Sequence, residues 1–312
     1  MEFQHKPVLL EPCLEALHLR PDGIYLDGTV GGAGHSKRIA ERLTTGRLVC
    51  LDRDENALAA ARQALQAAAE RVTLVHSNFQ DMERVLQDLN IPAVDGILLD
   101  LGVSSPQLDD GARGFSYLED ARLDMRMDQG DALTAYEVVN TWPQETLKRI
   151  LYEYGEERYA PLIAAAIVRR RASQPIATTL ELVEVIRAAM PAQALREKQH
   201  PAKRSFQAIR IAVNDELAAV RRGMSAAIAS LAPGGPLAVI TFHSLEDRIV
   251  KNAMQEAARG CTCPPEFPVC VCGKKPLVQI ITKKPVTASR EELQENPRAR
   301  SAKLRVCKKQ SN

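Results

Sequence analysis

Residues 27–36 form a glycine-rich segment that reads Asp27-Gly28-Thr29-Val30-Gly31-Gly32-Ala33-Gly34-His35-Ser36. The segment follows a short apolar run at residues 24–27 and precedes a stretch of helical character. Glycines let the backbone turn sharply and let a ligand approach closely, while the amides that open the next helix face that ligand. The segment therefore predicts a strand, a ligand-binding turn and a helix, although such turns also serve only to pack a helix on a strand.

The spacing of these glycines disfavours the two common phosphate-binding motifs. A dinucleotide fingerprint starting at Gly32 requires glycine at position 37, where the chain has Lys37, and the Gly-Lys-Ser or Gly-Lys-Thr of a P-loop does not occur here. Asp52 ends the next apolar run, where an acid can accept both hydroxyls of a ribose. A glycine turn without a phosphate motif, followed by a ribose acid, predicts S-adenosylmethionine as the cofactor. The alternative role for Asp52 is a helix N-cap, but Asp54 is better placed for it.

Outward from this segment, short β-type runs alternate with helical stretches, which is typical of parallel strands joined by crossovers. Strands are predicted at residues 24–27, 48–52, 72–76, 96–101, 236–242, 277–282 and 302–306. Residues 111–201 have helical character throughout, and one long helix is predicted from Phe206 to Leu231. We therefore predict an α/β fold with a Rossmann-like sheet formed by residues 1–110 and 202–312. A helical domain is inserted at 111–201.

The composition is that of an ordinary globular protein of 312 residues. Its 45% hydrophobic and 26% charged residues exclude a disordered tail and a small disulfide scaffold. The net charge of +2 neither proves nor excludes a nucleic-acid partner. Apolar runs fall short of the roughly 18 residues of a membrane span, and the first residues lack a signal-peptide pattern, so we expect a cytoplasmic protein. Seven cysteines, an odd number, suit a reducing compartment.

Residues 100–109 read Asp100-Leu101-Gly102-Val103-Ser104-Ser105-Pro106-Gln107-Leu108-Asp109 and resemble a segment of the bacterial ribosomal RNA small subunit methyltransferase H family. Stretches similar to that family span nearly the whole chain, at residues 27–36, 123–128, 154–158, 200–217, 242–248 and 295–301. The resemblance implies a class I methyltransferase domain with an inserted helical substrate-recognition domain. It also implies methyl transfer from S-adenosylmethionine to N4 of a cytidine in the decoding region of small-subunit (16S) ribosomal RNA.

The resemblance also implies which residues of this chain contact the cofactor. They fall on Ala33, Gly34, His35, Asp52, Phe79, Asp100 and Gln107, with Asp52 at the ribose and Phe79 beside the adenine. A single phenylalanine at the end of a strand is more often part of the core, and that alternative stays open for Phe79. The expected partner is small-subunit ribosomal RNA within a small ribosomal subunit. A membrane partner is not expected, and the oligomeric state stays open.

The catalytic residues have to assist a poor nucleophile, because the lone pair of the cytosine amine is delocalised into the ring. A hydrogen-bond acceptor that holds the amine in line with the methyl group provides such help. The corner after the fourth strand lacks the Asp/Asn-Pro-Pro-Tyr/Phe loop of many amino-methyltransferases, and its candidate acceptors are Asp100, Ser104 and Ser105. Serines before a proline also serve turns. His243, after the fifth strand, is a candidate proton acceptor, and capping of the next helix is its alternative role.

Two basic segments are candidates for RNA contact. Residues 196–210 hold five Lys or Arg against one Glu, and residues 298–309 hold six against no acid. Solvated charged surfaces are the alternative interpretation. Two other functions also stay open, a small-molecule methyltransferase and a noncatalytic ribosome-assembly factor that retains the cofactor fold.

Four cysteines are clustered at Cys261, Cys263, Cys270 and Cys272. Four thiolates in a short loop could bind zinc, but the C-x-C spacing is tighter than that of the usual zinc knuckle. Loop thiols without a metal are the alternative. We assign no metal ligand from the sequence, and zinc binding by these four cysteines stays open.

Overall fold

The computed structural model describes residues 7–261, 263, 269 and 272–311. The chain divides into two compact units. One comprises the residues up to Gly102 and from Leu217 onward, and is called the sheet unit below. The other is Val103–Glu216, called the helical unit. The sequence places the corresponding boundaries at residues 110/111 and 201/202.

The sheet unit contains a seven-stranded sheet with the order β3-β2-β1-β4-β5-β7-β6. Its strands are β1 Ile24–Asp27, β2 Arg47–Asp52, β3 Val72–His76, β4 Gly96–Asp100, β5 Pro236–Thr241, β6 Val278–Ile280 and β7 Lys303–Lys309. β1 to β5 run parallel to one another, whereas β7 runs antiparallel to both β5 and β6. The predicted Rossmann-like α/β sheet is thus confirmed. β6 is shorter and β7 longer than the sequence predicts.

The central strands are buried on both faces. All six residues of β5 are buried, as are the first four of β4. Since side chains alternate along a strand, Leu98 contributes to the core on one face of the sheet, while Ile97 and Leu99 contribute to the core on the other. The continuous apolar runs in the sequence follow from this double burial.

The α-helices of the described residues are, in chain order, α1 Leu10–Leu17, α2 Gly34–Ala40, α3 Glu55–Ala64, α4 Met82–Asp88, α5 Ser105–Asp109, α6 Ala135–Thr141, α7 Gln144–Glu153, α8 Ala160–Ser173, α9 Thr179–Ala189, α10 Lys203–Asn214, α11 Glu216–Ser230, α12 Ser244–Ala257 and α13 Arg290–Glu295. The helices of the helical unit surround a core of their own. Among the described residues, no helix combines the length and apolar character needed to span a membrane.

The long helix predicted from Phe206 to Leu231 is wrong, because Asp215 separates α10 from α11. Asp215 adopts the left-handed conformation with φ 48°. Aspartate tolerates this conformation better than most residues, because its short polar side chain can hydrogen-bond locally. α10 packs into the core of the helical unit through Phe206 and neighbouring apolar residues, whereas α11 packs into the sheet unit. The apolar spacing continues across the break, so periodicity alone did not reveal it.

The end of α10 is fixed within the helical unit by Asn214. Its side-chain amide donates to the carbonyl of Met125 at 2.7 Å, and its carbonyl oxygen accepts from the amide of Met127 at the same distance. In the same segment both oxygens of Asp124 accept from the Arg126 guanidinium, at 2.9 and 2.7 Å. The segment 123–128 therefore orders its own loop and anchors it to α10.

Candidate functional site

The glycine-rich turn after β1 is held by the strands on either side of it. The amide of Gly28 donates to the carbonyl of Leu98 on β4, and the amide of Val30 donates to the carbonyl of Leu51 on β2, each at 2.9 Å. Ala33, directly before α2, has φ 60°, which is uncommon for a residue with a side chain. The turn is therefore rigidly placed at the carboxyl ends of three adjacent strands, where ligands bind in open α/β sheets.

Asp27 anchors this turn. Its Oδ2 accepts from the Ser36 hydroxyl at 2.6 Å and its Oδ1 accepts from the amide of Thr29 at 3.1 Å. The Thr29 hydroxyl oxygen in turn accepts from the amide of Asp100 at 2.6 Å. Burial raises the pKa of Asp27. Asp27 and Thr29 are not separate candidates in the sequence, and an Asp-x-Thr directly after a buried strand is the signal that could have revealed them.

Asp52 lies at the end of β2, and each of its oxygens accepts one backbone hydrogen bond. Oδ2 accepts from the amide of Gly31 at 2.8 Å, and Oδ1 accepts from the amide of Asp54 at 2.9 Å. Burial raises the pKa of Asp52 to about 6. The N-cap of α3 is Asp54, whose side chain accepts from the amide of Asn56. A carboxylate has about four acceptor positions, so Asp52 retains acceptor capacity for ribose hydroxyls.

Asp100 ends β4, and the pKa of its carboxyl group is strongly raised. Burial, followed by the charges of Asp27 and Glu246, raises its pKa to about 8. Its Oδ1 is buried and accepts no hydrogen bond from the described part of the chain. Its Oδ2 lies 3.8 Å from Nδ1 of His35. Nε2 of His35 lies 3.0 Å from the carbonyl of Val8 and must donate to it, because a carbonyl only accepts.

Phe79 follows β3 and packs between two glycines. A Cβ on Gly28 would lie 2.4 Å from Cδ2 of Leu99 and 3.0 Å from Cβ of Phe79. A Cβ on Gly223 of α11 would lie 2.3 Å from Cε2 of Phe79. Both positions therefore require glycine for close approach. Phe79 is half-buried and packs against the core on the face of the sheet that contains Leu99. The structure thus shows a packing role for Phe79, and an adenine contact stays a prediction.

Ser104 and Gln107 belong to the helical unit, whereas Asp100 belongs to the sheet unit. The amide of Ser104 donates to Oε1 of Gln107 at 3.0 Å, and the amide of Gln107 donates to the Ser104 hydroxyl oxygen at 3.4 Å. These bonds stabilise the start of α5, as expected of turn chemistry. The side chain of Ser105 lies outside the described part of the structure. Catalytic roles for the two serines and a cofactor contact for Gln107 stay predictions.

His243 is the N-cap of α12. Its Nδ1 accepts from the amide of Glu246 at 3.4 Å, and its Nε2 lies 3.2 Å from Oε1 of the same residue. Oε2 of Glu246 accepts in return from the amides of Phe242 and His243, at 3.0 and 3.4 Å. The capping role is therefore observed, and a proton-accepting role stays a prediction.

The donor set fits S-adenosylmethionine. The cofactor carries a sulfonium and an ammonium cation together with a ribose diol, and the site offers carboxyl groups at the ends of β2 and β4. The buried Oδ1 of Asp100 supplies an acceptor suited to a cationic hydrogen-bond donor. At the start of α2, Ala33 and His35 are buried and Gly34 is half-buried. The acceptors at Asp52 and Asp100 thus suit a cationic nucleoside.

Comparison with known proteins identifies the chain's family. A family model described as the MraW methylase family matches residues 2–310. The chain belongs to the MraW methylase family. The chain is similar to proteins named ribosomal RNA small subunit methyltransferase H. Its sequence identity is 59% to the protein of Heliobacterium mobile, 58% to that of Heliobacterium modesticaldum and 57% to that of Symbiobacterium thermophilum. Each alignment covers 99% of this chain and 98–100% of the relative. The resemblance predicted from the sequence is therefore confirmed.

The two basic segments of this MraW family member are partly neutralised within the protein. In the segment 298–309, the buried Arg305 donates to both carboxylate oxygens of Asp247, at 2.6 and 3.1 Å. Lys303 donates to the same carboxylate at 3.4 Å. Nζ of Lys309 donates to the carbonyl of Ile228 at 2.6 Å. In 196–210, Arg210 forms a bidentate ion pair with Glu216, with both contacts at 2.9 Å. The exposed cations of the two segments are Arg196, Lys198, Lys203, Arg298, Arg300 and Lys308.

Proposed function

We propose that this methyltransferase transfers a methyl group from S-adenosylmethionine to N4 of a cytidine in small-subunit ribosomal RNA, in the decoding region. Its substrate is the RNA within a small ribosomal subunit, and it acts in the cytoplasm. Family membership and relatives named for the same RNA support this proposal. The observation that carries it is the convergence of the glycine turn, Asp52 and Asp100 at the carboxyl ends of adjacent parallel strands.

The cofactor is held by residues of the turn and of the strand ends. Asp52 accepts the ribose hydroxyls, Phe79 lies beside the adenine, and Ala33, Gly34 and His35 supply backbone and side-chain contacts. Asp100 faces the cationic part of the cofactor, and Gln107 completes the contacts. When bound, S-adenosylmethionine supplies an electrophilic methyl group activated by the positive sulfur.

The protein's contribution to the transfer is positioning and fixed electrostatics. The cytosine amine attacks best when one of its hydrogens is held by an acceptor and its nitrogen is aligned with the methyl carbon. Asp100 is the strongest candidate, because its Oδ1 is a buried acceptor that receives no hydrogen bond from the described residues. Ser104 and Ser105 are the further candidates for holding the amine, and His243 for taking up the released proton.

The decisive experiment maps modified nucleosides in small-subunit ribosomal RNA from cells with and without the gene. We expect N4-methylcytidine to disappear from one position when the gene is absent and to return with the wild-type gene. Unchanged N4-methylcytidine would reject the proposal. Methyl transfer by purified protein to isolated small subunits and to free RNA distinguishes the two substrates. Transfer to small metabolites alone would indicate a small-molecule methyltransferase, and cofactor binding without any transfer would indicate a noncatalytic assembly factor.

A further inference from the structure

The segment between α12 and β6 is a long connection without regular structure in its described residues. It runs from Ala257 to Val278, about twenty residues, whereas unstructured loops above roughly 12–15 residues are uncommon in compact domains. The base of the loop is closed, because the amide of Leu277 donates to the carbonyl of Ala257 at 2.8 Å. Nζ of Lys274 also lies 2.9 Å from Oε1 of Glu256. Both contacts join a residue of α12 to a residue shortly before β6.

Three cysteines converge in this loop, although they are separated in the sequence. The sulfur atoms of Cys261, Cys263 and Cys272 all lie within 4.8 Å of one another. The sulfurs of Cys261 and Cys272 are 3.7 Å apart, and the amide of Cys263 donates to the sulfur of Cys261 at 3.4 Å. Cys270, the fourth cysteine of the sequence cluster, lies outside the described residues.

The sulfur spacing matches a metal site and not a disulfide. A disulfide bond requires sulfurs about 2.05 Å apart. Thiolates at about 2.3 Å from a tetrahedral zinc ion lie about 3.8 Å from one another. The 3.7 Å between Cys261 and Cys272 agrees with the second value. Soft thiolates also select zinc over the hard cations magnesium and calcium.

The remaining cysteines differ from this cluster in their surroundings. Cys13, Cys50 and Cys307 are completely buried. Burial raises the pKa of each of these thiols, that of Cys307 to about 12, so they remain protonated at neutral pH. Cys261 and Cys272 are exposed and Cys263 is half-buried. The basic residues Arg259, Lys274 and Lys275 flank the cluster in sequence, and positive charge favours thiolates.

We propose that Cys261, Cys263 and Cys272 bind a structural zinc ion within the connection between α12 and β6. Structural zinc ions are four-coordinate, so one further donor completes the site. The ion links Cys261 and Cys263, on the α12 side of the connection, to Cys272 on the β6 side, and so closes a loop in the chain. The site is separate from the candidate cofactor site and does not depend on the proposed function.

The test is metal analysis of full-length protein purified without chelators, with Cys261→Ser and Cys272→Ser as variants and Cys13→Ala as the control. We expect about one zinc per chain in the wild type and in the control, and background zinc in both serine variants. Circular dichroism verifies that each variant is folded. Background zinc in folded wild-type protein, zinc retained by both serine variants, or iron in place of zinc would overturn the proposal.

A second measurement follows the thiols and the loop directly. Removal of zinc by a chelator is expected to increase the number of thiols that react rapidly with Ellman's reagent, and to make the loop more sensitive to limited proteolysis. Re-addition of zinc should reverse both changes in the wild type but not in Cys272→Ser. A disulfide in metal-free protein as isolated under non-reducing conditions, detected as a mass about 2 Da lower, would instead identify redox-active loop thiols.

Discussion

Asp27, Asp52 and Asp100 end three adjacent strands, yet their surroundings give them different tasks. Asp27 is enclosed and uses both oxygens to hold the turn. Asp52 binds the turn and retains acceptor capacity. Asp100 has one buried oxygen without a donor among the described residues. The sequence identifies Asp52 and Asp100 as candidates because they end predicted strands. It cannot show how many acceptor positions of each carboxyl group are already occupied by hydrogen bonds within the protein.

We expect Asp52→Ala to weaken binding of S-adenosylmethionine by about 10- to 100-fold, because it removes a charged acceptor for the ribose. Isothermal titration calorimetry measures the change. Asp54→Ala is the matched control, since it removes an acid at the same corner that caps α3. The control should lose about 1 kcal/mol of stability but little affinity. Equal affinities of wild type and Asp52→Ala would contradict the ribose assignment.

Asp100→Asn should reduce turnover by about 100-fold, because the variant keeps the shape of the side chain but loses the charged acceptor. Single-turnover kinetics on small ribosomal subunits is the measurement. The wild-type rate should rise with pH toward about 8, where the carboxyl group ionises in the ligand-free protein, while the variant should show no such rise. A variant as active as the wild type would remove Asp100 from the mechanism.

The raised pKa of Asp100 also predicts a pH-dependent stability. Its folded-state pKa of about 8 exceeds the ordinary value of 3.8. Folding therefore favours the protonated form, and Asp100 contributes stability that is fully present below the ordinary value and is lost as pH rises through about 8. Asp100→Asn, which is neutral at every pH, should lose less stability than the wild type between about pH 5 and about pH 9. Urea unfolding at both pH values tests this, and parallel losses would refute it.

At the scale of single elements, the start of α12 distinguishes capping from catalysis at His243. Both nitrogens of its ring face Glu246, so we expect the cap to be its main task. His243→Ala should cost about 1 kcal/mol of stability, whereas His243→Asn, a good N-cap, should restore most of it. Turnover of His243→Asn should remain within about threefold of wild type, since general acid–base catalysis would be worth about 100-fold or more. A stable His243→Asn with a loss of that size would establish the proton-accepting role.

The elements that the sequence predicted best are those whose local pattern has one physical explanation. Apolar runs ending at polar corners predicted β1 and β3 with the observed bounds. The junction of α10 and α11 was missed because its apolar spacing continues, although the two halves are buried in different cores. The edge strand β6 was predicted too long because an apolar run does not show where a partner strand ends.

At the scale of the whole molecule, RNA binding should depend on the exposed cations of the two basic segments. Arg300→Ala combined with Lys308→Ala is expected to lower RNA affinity and to reduce the slope of its logarithm against the logarithm of salt concentration by about 0.7 for each phosphate that is no longer neutralised. Affinity for S-adenosylmethionine should not change. Lys148→Ala, which lies outside the segments and pairs with Glu145, is the control. An unchanged salt slope in the double variant would exclude both side chains from RNA binding.

Counting basic residues in the sequence overestimates the positive charge that is available to bind RNA. Residues 298–309 hold six basic residues, yet Asp247, about fifty residues earlier, binds two of them. Which cations remain at the surface is decided by contacts distant in the chain, and a count within one segment cannot include them. The candidate site was more predictable, because its acids lie at the ends of consecutive strands, where topology brings them together.

The position of β7 between β5 and β6 affects how the protein is made. β5 is buried on both faces, but its outer neighbour is the last strand in chain order, beginning at Lys303, well beyond the end of β5 at Thr241. During synthesis, β5 therefore has an open hydrogen-bonding edge until β7 leaves the ribosome. The unpaired backbone N–H and C=O groups of such an edge can form hydrogen bonds with strands of other nascent chains. Slowing translation between β5 and β7 should therefore increase co-translational aggregation.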